Sequence, residues 1–353
     1  MKAILISRRF NPGHISHIEA NAKLLETCGF DVLFDVHKKF LDFAGSDLSQ
    51  RRAKFWSWLG LKKGDLYIVW FPSVSIVLNL IFIKLLTNAT TVYVYHEPFT
   101  SFGSYRSAGF SWLKAMRVVI ISMVSRVICA FSNKVILPSK HAFDAITEAK
   151  VKPHRYAKIN LMFADENITG TLDTPRQFIS YIGTVAEDHA FDEFLNLIAA
   201  CIANGELKDL KFLIATRSHF SNERQAKIDQ CASTGRLVVQ SGTPMTNVEI
   251  NQYYAKSLVV WNAYKRSMQS GVLPKAYMFG APVLVSVANQ NEYFENGVHG
   301  ALVSNCYNLD EFVKAVITIR SNWFATSQNC RNYYLRNFDY RVLSSTFINF
   351  VLD

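Results

Sequence analysis

Metal-ligating cysteine pairs are missing from this chain. Cys28, Cys129, Cys201, Cys231, Cys306 and Cys330 are scattered, with no Cys-x-x-Cys and no histidine partners at zinc spacing. This excludes a zinc knuckle and a disulfide framework, and it points to free thiols in a reducing compartment. No Gly-x-Gly-x-x-Gly turn occurs, which removes the usual dinucleotide-dependent dehydrogenase. Nor is there a run of roughly 20 uncharged apolar residues to span a bilayer. Pro72, Asn79 and Lys84 divide residues 66–86, which read as a buried strand plus a helix, and Arg117 and Arg126 interrupt residues 115–131, which read as an amphipathic helix. The apolar part of residues 1–9 is too short for a signal peptide and reads as a first strand, so a cytoplasmic protein is expected. Acidic residues are scarce in the first half. Residues 1–165 hold 22 Lys+Arg against 11 Asp+Glu, leaving 16 against 17 in the remainder. That excess suits an anionic surface such as phospholipid headgroups or a lipid diphosphate, at about 1 kcal/mol per basic residue close to a membrane. Phe55, Trp56 and Trp58 are candidate contacts for such a surface, with core packing as the ordinary alternative for each. Nucleic acid is not indicated, because no binding motif and no basic stripe with stacking aromatics is present.

What is present is an αβ alternation long enough for two domains. The chain has 353 residues, half of them hydrophobic and 19% charged, more than one core usually serves. Apolar runs of strand length lie near residues 2–7, 32–36, 66–71, 91–96 and 134–138. A second series lies near 178–183, 210–215, 236–240, 258–262 and 282–286, with helical periodicities between. The pattern predicts α/β architecture with two doubly wound parallel sheets, covered by helices on both faces and facing each other across a cleft. Ligands are then expected at the carboxyl ends of the strands. Polar, turn-rich sequence after Asp165 marks a boundary. The expected organisation is a first domain over residues 1–165, a linker over 166–176, a second domain over 177–337, and a C-terminal helix over 338–353 that packs back on the first domain. After Asn308 the pattern is wholly helical.

Residues 270–283, Ser-Gly-Val-Leu-Pro-Lys-Ala-Tyr-Met-Phe-Gly-Ala-Pro-Val, read as a turn, a short helix and a buried strand. Unpartnered N–H groups and the helix dipole favour an anion at such a helix start, and Gly271 lets a phosphate approach the backbone; an ordinary αβ unit is the plain alternative. In the first half, Tyr95-His96-Glu97-Pro98 places His96 and Glu97 at a strand end, where Pro98 favours an extended turn. Asn11-Pro-Gly-His-Ile-Ser-His17 follows the first strand and supplies Gly13, His14 and His17. A hydrogen-bonded structural role is the alternative for each histidine, although an acidic neighbour could set the protonation of His96.

Taken in order, Tyr181-Ile-Gly183, Gly242, Tyr253-Tyr254-Ala255, residues 270–283, Glu292 and Asn296-Gly297-Val298-His299-Gly300-Ala-Leu-Val303 resemble the donor-binding domain of GT-B glycosyltransferases. They are most similar to family 4, the glycosyl transferases group 1, of bacterial surface polysaccharide assembly. The resemblance implies a hexosyl transfer from a nucleotide-diphosphate sugar, UDP- or GDP-linked, to a glycan or lipid-linked saccharide acceptor, with no other cofactor. The first domain would bind the acceptor and the second the donor. The basic excess and the aromatics of the first half, read beside this, point to peripheral attachment to the inner face of the cytoplasmic membrane.

It implies further that Gly183, Thr184, Ser270, Gly271 and Val272 cradle the diphosphate while Gly242 and Thr243 border the base. His96 matches the histidine that contacts the donor sugar, and Gly13 and His17 belong to the loop beside donor phosphate and acceptor. Glu97, His96 or His14 would serve as general base in an inverting transfer; a retaining transfer, usual in the family, needs mainly a shaped cleft that stabilises the leaving diphosphate. No Asp-x-Asp occurs, so a metal site of the other large glycosyltransferase fold is not indicated. The chain also departs from the family. Ser267 and Lys275 stand where two glutamates eight residues apart are usual, Thr184 replaces an arginine, and His189 or Ala190 a lysine. Arg266 or Lys275 is the candidate to meet the diphosphate or an acidic donor sugar instead. A non-catalytic sugar-nucleotide-binding subunit and a sugar-nucleotide epimerase are the competing functions.

Overall fold

The computed structural model describes residues 1–10, 14–40, 51–54, 56–96, 101–147, 153–167, 176–267 and 270–353. Gly13, Glu97, Phe55 and residues 168–175 of the expected linker lie outside them. The chain divides into two compact units, Met1–Ala164 with Asn337–Asp353, and Asp165–Arg336.

In the first unit β1 (Lys2–Ser7), α1 (Ile15–Thr27), β2 (Asp31–Val36), β3 (Leu66–Val69), α2 (Val74–Leu86), β4 (Thr90–Val94), α3 (Phe102–Ser107), α4 (Trp112–Phe131), β5 (Lys134–Leu137), α5 (Lys140–Thr147) and β6 (Tyr156–Lys158) follow in order. All strand pairs are parallel, in the order β2-β1-β3-β4-β5-β6. Successive side chains of a strand point to opposite faces, and here both faces are apolar. Ala3, Leu5, Leu66, Ile68, Val92 and Val94 enter one core, with α1. Ile4, Ile6, Tyr67, Val69, Tyr93 and Tyr95 enter the other, with Ile76, Leu80 and Ile83 of α2 and Ile128 of α4. Helices α2 and α4 thus share the sheet face opposite α1.

The second unit runs β7 (Phe178–Ile182), α6 (Phe191–Ala203), β8 (Lys211–Ala215), α7 (Asn222–Ala232), β9 (Leu237–Gln240), α8 (Asn247–Lys256), β10 (Ser257–Asn262), α9 (Val272–Met278), β11 (Val283–Ser286), β12 (Gly300–Val303), α10 (Leu309–Ser321) and α11 (Trp323–Asn337). Its sheet is again parallel throughout, in the order β12-β11-β10-β7-β8-β9. Thr246 and Glu249 form a reciprocal capping box that starts α8. The final helix, α12 (Tyr340–Leu352), belongs to the first unit: Phe347 and Val351 are buried in the core that contains α1.

The α/β class with two parallel sheets is therefore the architecture of the molecule, and the ten expected strands are present with ends shifted by at most two residues. Two further strands were not foreseen. β6 is a three-residue edge strand that is not fully buried, too short for a period to register. β12 is set by backbone rather than by side-chain pattern. At Gly300, φ is +146°, and a Cβ there would lie 1.9 Å from the Val283 carbonyl oxygen, so only glycine lets β12 approach β11.

Candidate functional site

Three histidines gather at the carboxyl edge of the first sheet. His14 precedes α1, His17 lies in its first turn, and His96 follows β4 by two residues. The His96 ring centroid is 5.7 Å from that of His14 and 6.1 Å from that of His17. Phe71, just beyond β3, stacks on His14 at 4.3 Å and lies nearly parallel to His96 at 5.3 Å. His17 is buried, with Nδ1 3.2 Å from the Met162 carbonyl and its ring 4.2 Å from that of Phe163. A carbonyl only accepts, so Nδ1 of His17 carries the hydrogen and donates it. Asn21 donates to the His17 carbonyl at 2.8 Å and steadies the turn.

His96 Nε2 is shielded and has no hydrogen-bond partner among the described residues. Burial first, and the neighbouring His17 second, lower its pKa to about 3. The imidazole is consequently neutral at pH 7. Among the described residues no group of three or more His, Cys, Asp or Glu side chains could hold a metal ion. Sequence reasoning did not single out Phe71, Met162 or Phe163. An aromatic at a strand's carboxyl end was the one signal for Phe71, and the other two come from a segment about 145 residues beyond His17.

In the second unit the end of β7 meets the start of α9. Gly183 has φ +140°, and a Cβ placed on it would sit 3.6 Å from Val272 Cγ2, so these two backbone turns are near neighbours. The Gly183 N–H donates to the Ala215 carbonyl at 3.0 Å. Thr184 turns its carbonyl inward, where it accepts from Tyr181 OH at 2.8 Å and lies 2.7 Å from His189 Nδ1. The His189 ring stacks on Tyr264 at 4.6 Å. Tyr264 OH lies 3.3 Å from Ser270 Oγ, which also accepts from the Val272 N–H at 3.1 Å. Pro274 in the first turn of α9 lacks a donor where none is needed. Gly242, beyond β9, has φ +84° and packs on the His219 ring, and Thr243 beside it is exposed.

Each cation around this turn is matched to a carboxylate. Arg266 Nε donates to buried Asp188 at 2.8 Å, and Lys265 Nζ lies 2.6 Å from Glu193 Oε1. Lys275, on α9, is buried rather than solvent-facing. Its Nζ is 2.6 Å from Glu166 Oε2 and 3.1 Å from Asn251 Oδ1, and Asn251 donates back to Glu166 Oε2 at 2.6 Å. Asp188, Glu166 and Asn251 carry no sequence signal of these pairings, since Glu166 and Lys275 stand 109 positions apart. The positive charge near the α9 turn is therefore largely balanced within the protein, and what the turn offers an anion is mainly backbone.

Residues 176–322 match the model of the family glycosyl transferases group 1. No curated protein sequence matches the chain. Among solved structures, HepE of Anabaena in complex with UDP is similar at 12% identity over 99% of both chains, with a TM-score of 0.68. A glycosyltransferase from Rickettsia africae is similar at 11% identity over 99% of this chain and 97% of its own, with a TM-score of 0.67. Sucrose-phosphate synthase from Thermosynechococcus elongatus is similar at 13% identity over the same shares, again with a TM-score of 0.67. The chain thus has the GT-B fold of glycosyltransferases, and its second unit carries the sequence pattern of glycosyl transferases group 1.

Proposed function

We propose that the protein transfers a sugar from a nucleotide-diphosphate sugar, UDP- or GDP-linked, to a glycan or lipid-linked saccharide at the inner face of a membrane, in the assembly of a bacterial surface polysaccharide. The observation that carries this reading is the meeting of Gly183 with Val272 at the carboxyl edge of the second sheet, within the segment that matches the family. HepE, of the same fold, binds UDP and UDP-glucose. The donor diphosphate lies, in this reading, against the N–H groups of Thr184 and Gly271 beside Ser270, the Gly183 and Val272 N–H groups being taken by Ala215 and Ser270, and the helix start and its dipole stabilise the leaving group. Gly242 and Thr243 border the base. Arg266 adds charge only in so far as the diphosphate competes with Asp188 for it, and Lys275 acts by holding the α9 turn through Glu166.

His96 serves as a neutral hydrogen-bond partner of the donor sugar, Gly13 and His14 are assigned to the acceptor side, and His17, buried against Met162 and Phe163, supports the His96 ring rather than touching the acceptor. A general base works best with a pKa near the working pH, and an imidazole held at about 3 is too weak to deprotonate an acceptor hydroxyl at neutral pH. This favours transfer with retention of anomeric configuration over an inverting mechanism based on His96. No metal takes part in the proposed reaction.

The test is incubation with a panel of nucleotide sugars, with and without a membrane lipid extract, in the presence and absence of EDTA. Nucleotide release that requires lipid and survives EDTA, with an axial-to-axial product by NMR for an α-linked donor, is the expected result. Tight binding without release favours the non-catalytic subunit, a reading that the absent glutamates at Ser267 and Lys275 keep in view. Interconversion of nucleotide sugars without an acceptor points to the epimerase.

A further inference from the structure

Helix α4 is amphipathic the wrong way round for a helix that covers a sheet. Its buried positions include Ala115, Ser122, Ser125 and Cys129, small or polar apart from Ile128. Its exposed positions are Trp112, Leu113, Met116, Ile120, Met123 and Val127, with exposures from 37% to 74%. These recur at helical spacing and form one stripe. Helix α2 has two apolar stripes. Ile76, Leu80 and Ile83 face the core, while Val74, Leu78, Phe82, Leu85 and Leu86 face outward. The two helices pack side by side on the same face of the sheet, so both outer stripes look away from it. The turn at Ser57–Gly60 extends the surface: Trp58 is buried and stacks on Phe82 at 6.2 Å, leaving Trp56 exposed beside it. Twelve exposed large apolar side chains lie on these three elements and Trp56 adjoins them, far more than the scattered ones normal for a soluble surface.

The surrounding charge has one sign. Between Asp65 and Asp144 the sequence holds Lys84, Arg106, Lys114, Arg117, Arg126, Lys134 and Lys140 against a single acidic residue, Glu97. Lys84, Arg106, Lys114, Arg117 and Arg126 are exposed. No helix among the described residues is long and apolar enough to cross a membrane. We infer that the α2–α4 face is a monotopic membrane-insertion surface, lying in the plane of an anionic bilayer with its apolar stripes below the headgroups and its basic side chains at headgroup level. An anionic lipid surface satisfies both properties at once. A second copy of this chain satisfies only the first, because pairing these faces brings like charges together.

This inference sharpens the proposed action on a lipid-linked acceptor, but its test needs no turnover and stands apart from that reading. Full-length protein is floated with vesicles of phosphatidylglycerol and phosphatidylcholine, and with phosphatidylcholine alone, at physiological and at high salt. The expected result is binding to the anionic vesicles that weakens but persists at high salt, since salt screens the basic rim and leaves the apolar contact. Ile120→Glu with Met123→Glu lowers the partition coefficient by at least about tenfold with unchanged melting temperature. Leu78→Lys with Phe82→Lys, on the other helix, is the second pair should the first impair folding. Absence of wild-type flotation, complete release by salt, or equal flotation of both folded variants overturns the proposal. So does a wild-type dimer in sedimentation velocity that the same substitutions dissociate.

Discussion

The protonation of His96 has a thermodynamic counterpart that can be measured. In the unfolded chain this imidazole titrates near 6.5, whereas in the fold it is held at about 3. Between those values the unfolded state binds a proton that the folded state refuses, so the contribution of His96 to stability is intact above pH 6.5 and is lost as pH falls toward 3. The slope in that window is at most about 1.4 kcal/mol per pH unit. Urea denaturation between pH 4 and pH 7 is expected to show a steeper loss of stability for the wild type than for His96→Phe, and the His96 ring protons are expected to show no titration by NMR above about pH 4. A midpoint near 6.5 contradicts the buried environment described here. The residue scale is also where the sequence was least legible. That His96 follows a strand could be read from the apolar run before it, but its shielding by Phe71, His14 and His17 comes from the ends of two other strands, β3 and β1. Likewise Lys275 could be placed on a helix, yet its partners Glu166 and Asn251 are set by tertiary folding alone.

Elements were far more legible. Strands such as β1 and β3 are apolar on both faces because helices cover both, and continuous apolar runs bounded by turns are a strong local signal. β12 shows the limit: its position depends on one glycine's contact with a strand 17 residues earlier. Gly300→Ala would force a methyl group into the Val283 carbonyl and a side chain into a left-handed backbone region. Separation of β12 from β11 is the expected outcome, with a loss of about 2 kcal/mol or more of stability. A fall in thermal midpoint, with rapid amide exchange over Gly300–Val303, checks it. The Gly297–Gly300 portion of the family pattern accordingly records how the sheet closes at its edge. Helix α4 shows a different limit. Its periodicity was readable as amphipathic, but only the fold reveals that the small and polar side is the buried one.

At the scale of the molecule, the two units have separate cores and carry separate parts of the proposed chemistry. Hydrogen exchange in the presence of UDP is expected to slow amides near Gly183–Thr184 and Gly271–Lys275 by at least about tenfold, while those around His14 and His17 change little. Equal protection at the histidines would move the nucleotide to the first unit. The α2–α4 face has a further consequence away from any membrane. In dilute buffer, repulsion between the basic rims opposes the meeting of these apolar stripes on different molecules. Any salt screens that repulsion, and a kosmotropic salt such as ammonium sulfate strengthens apolar burial as well, so self-association of the wild type is expected to rise with ammonium sulfate more steeply than that of Ile120→Glu with Met123→Glu, as light scattering would show.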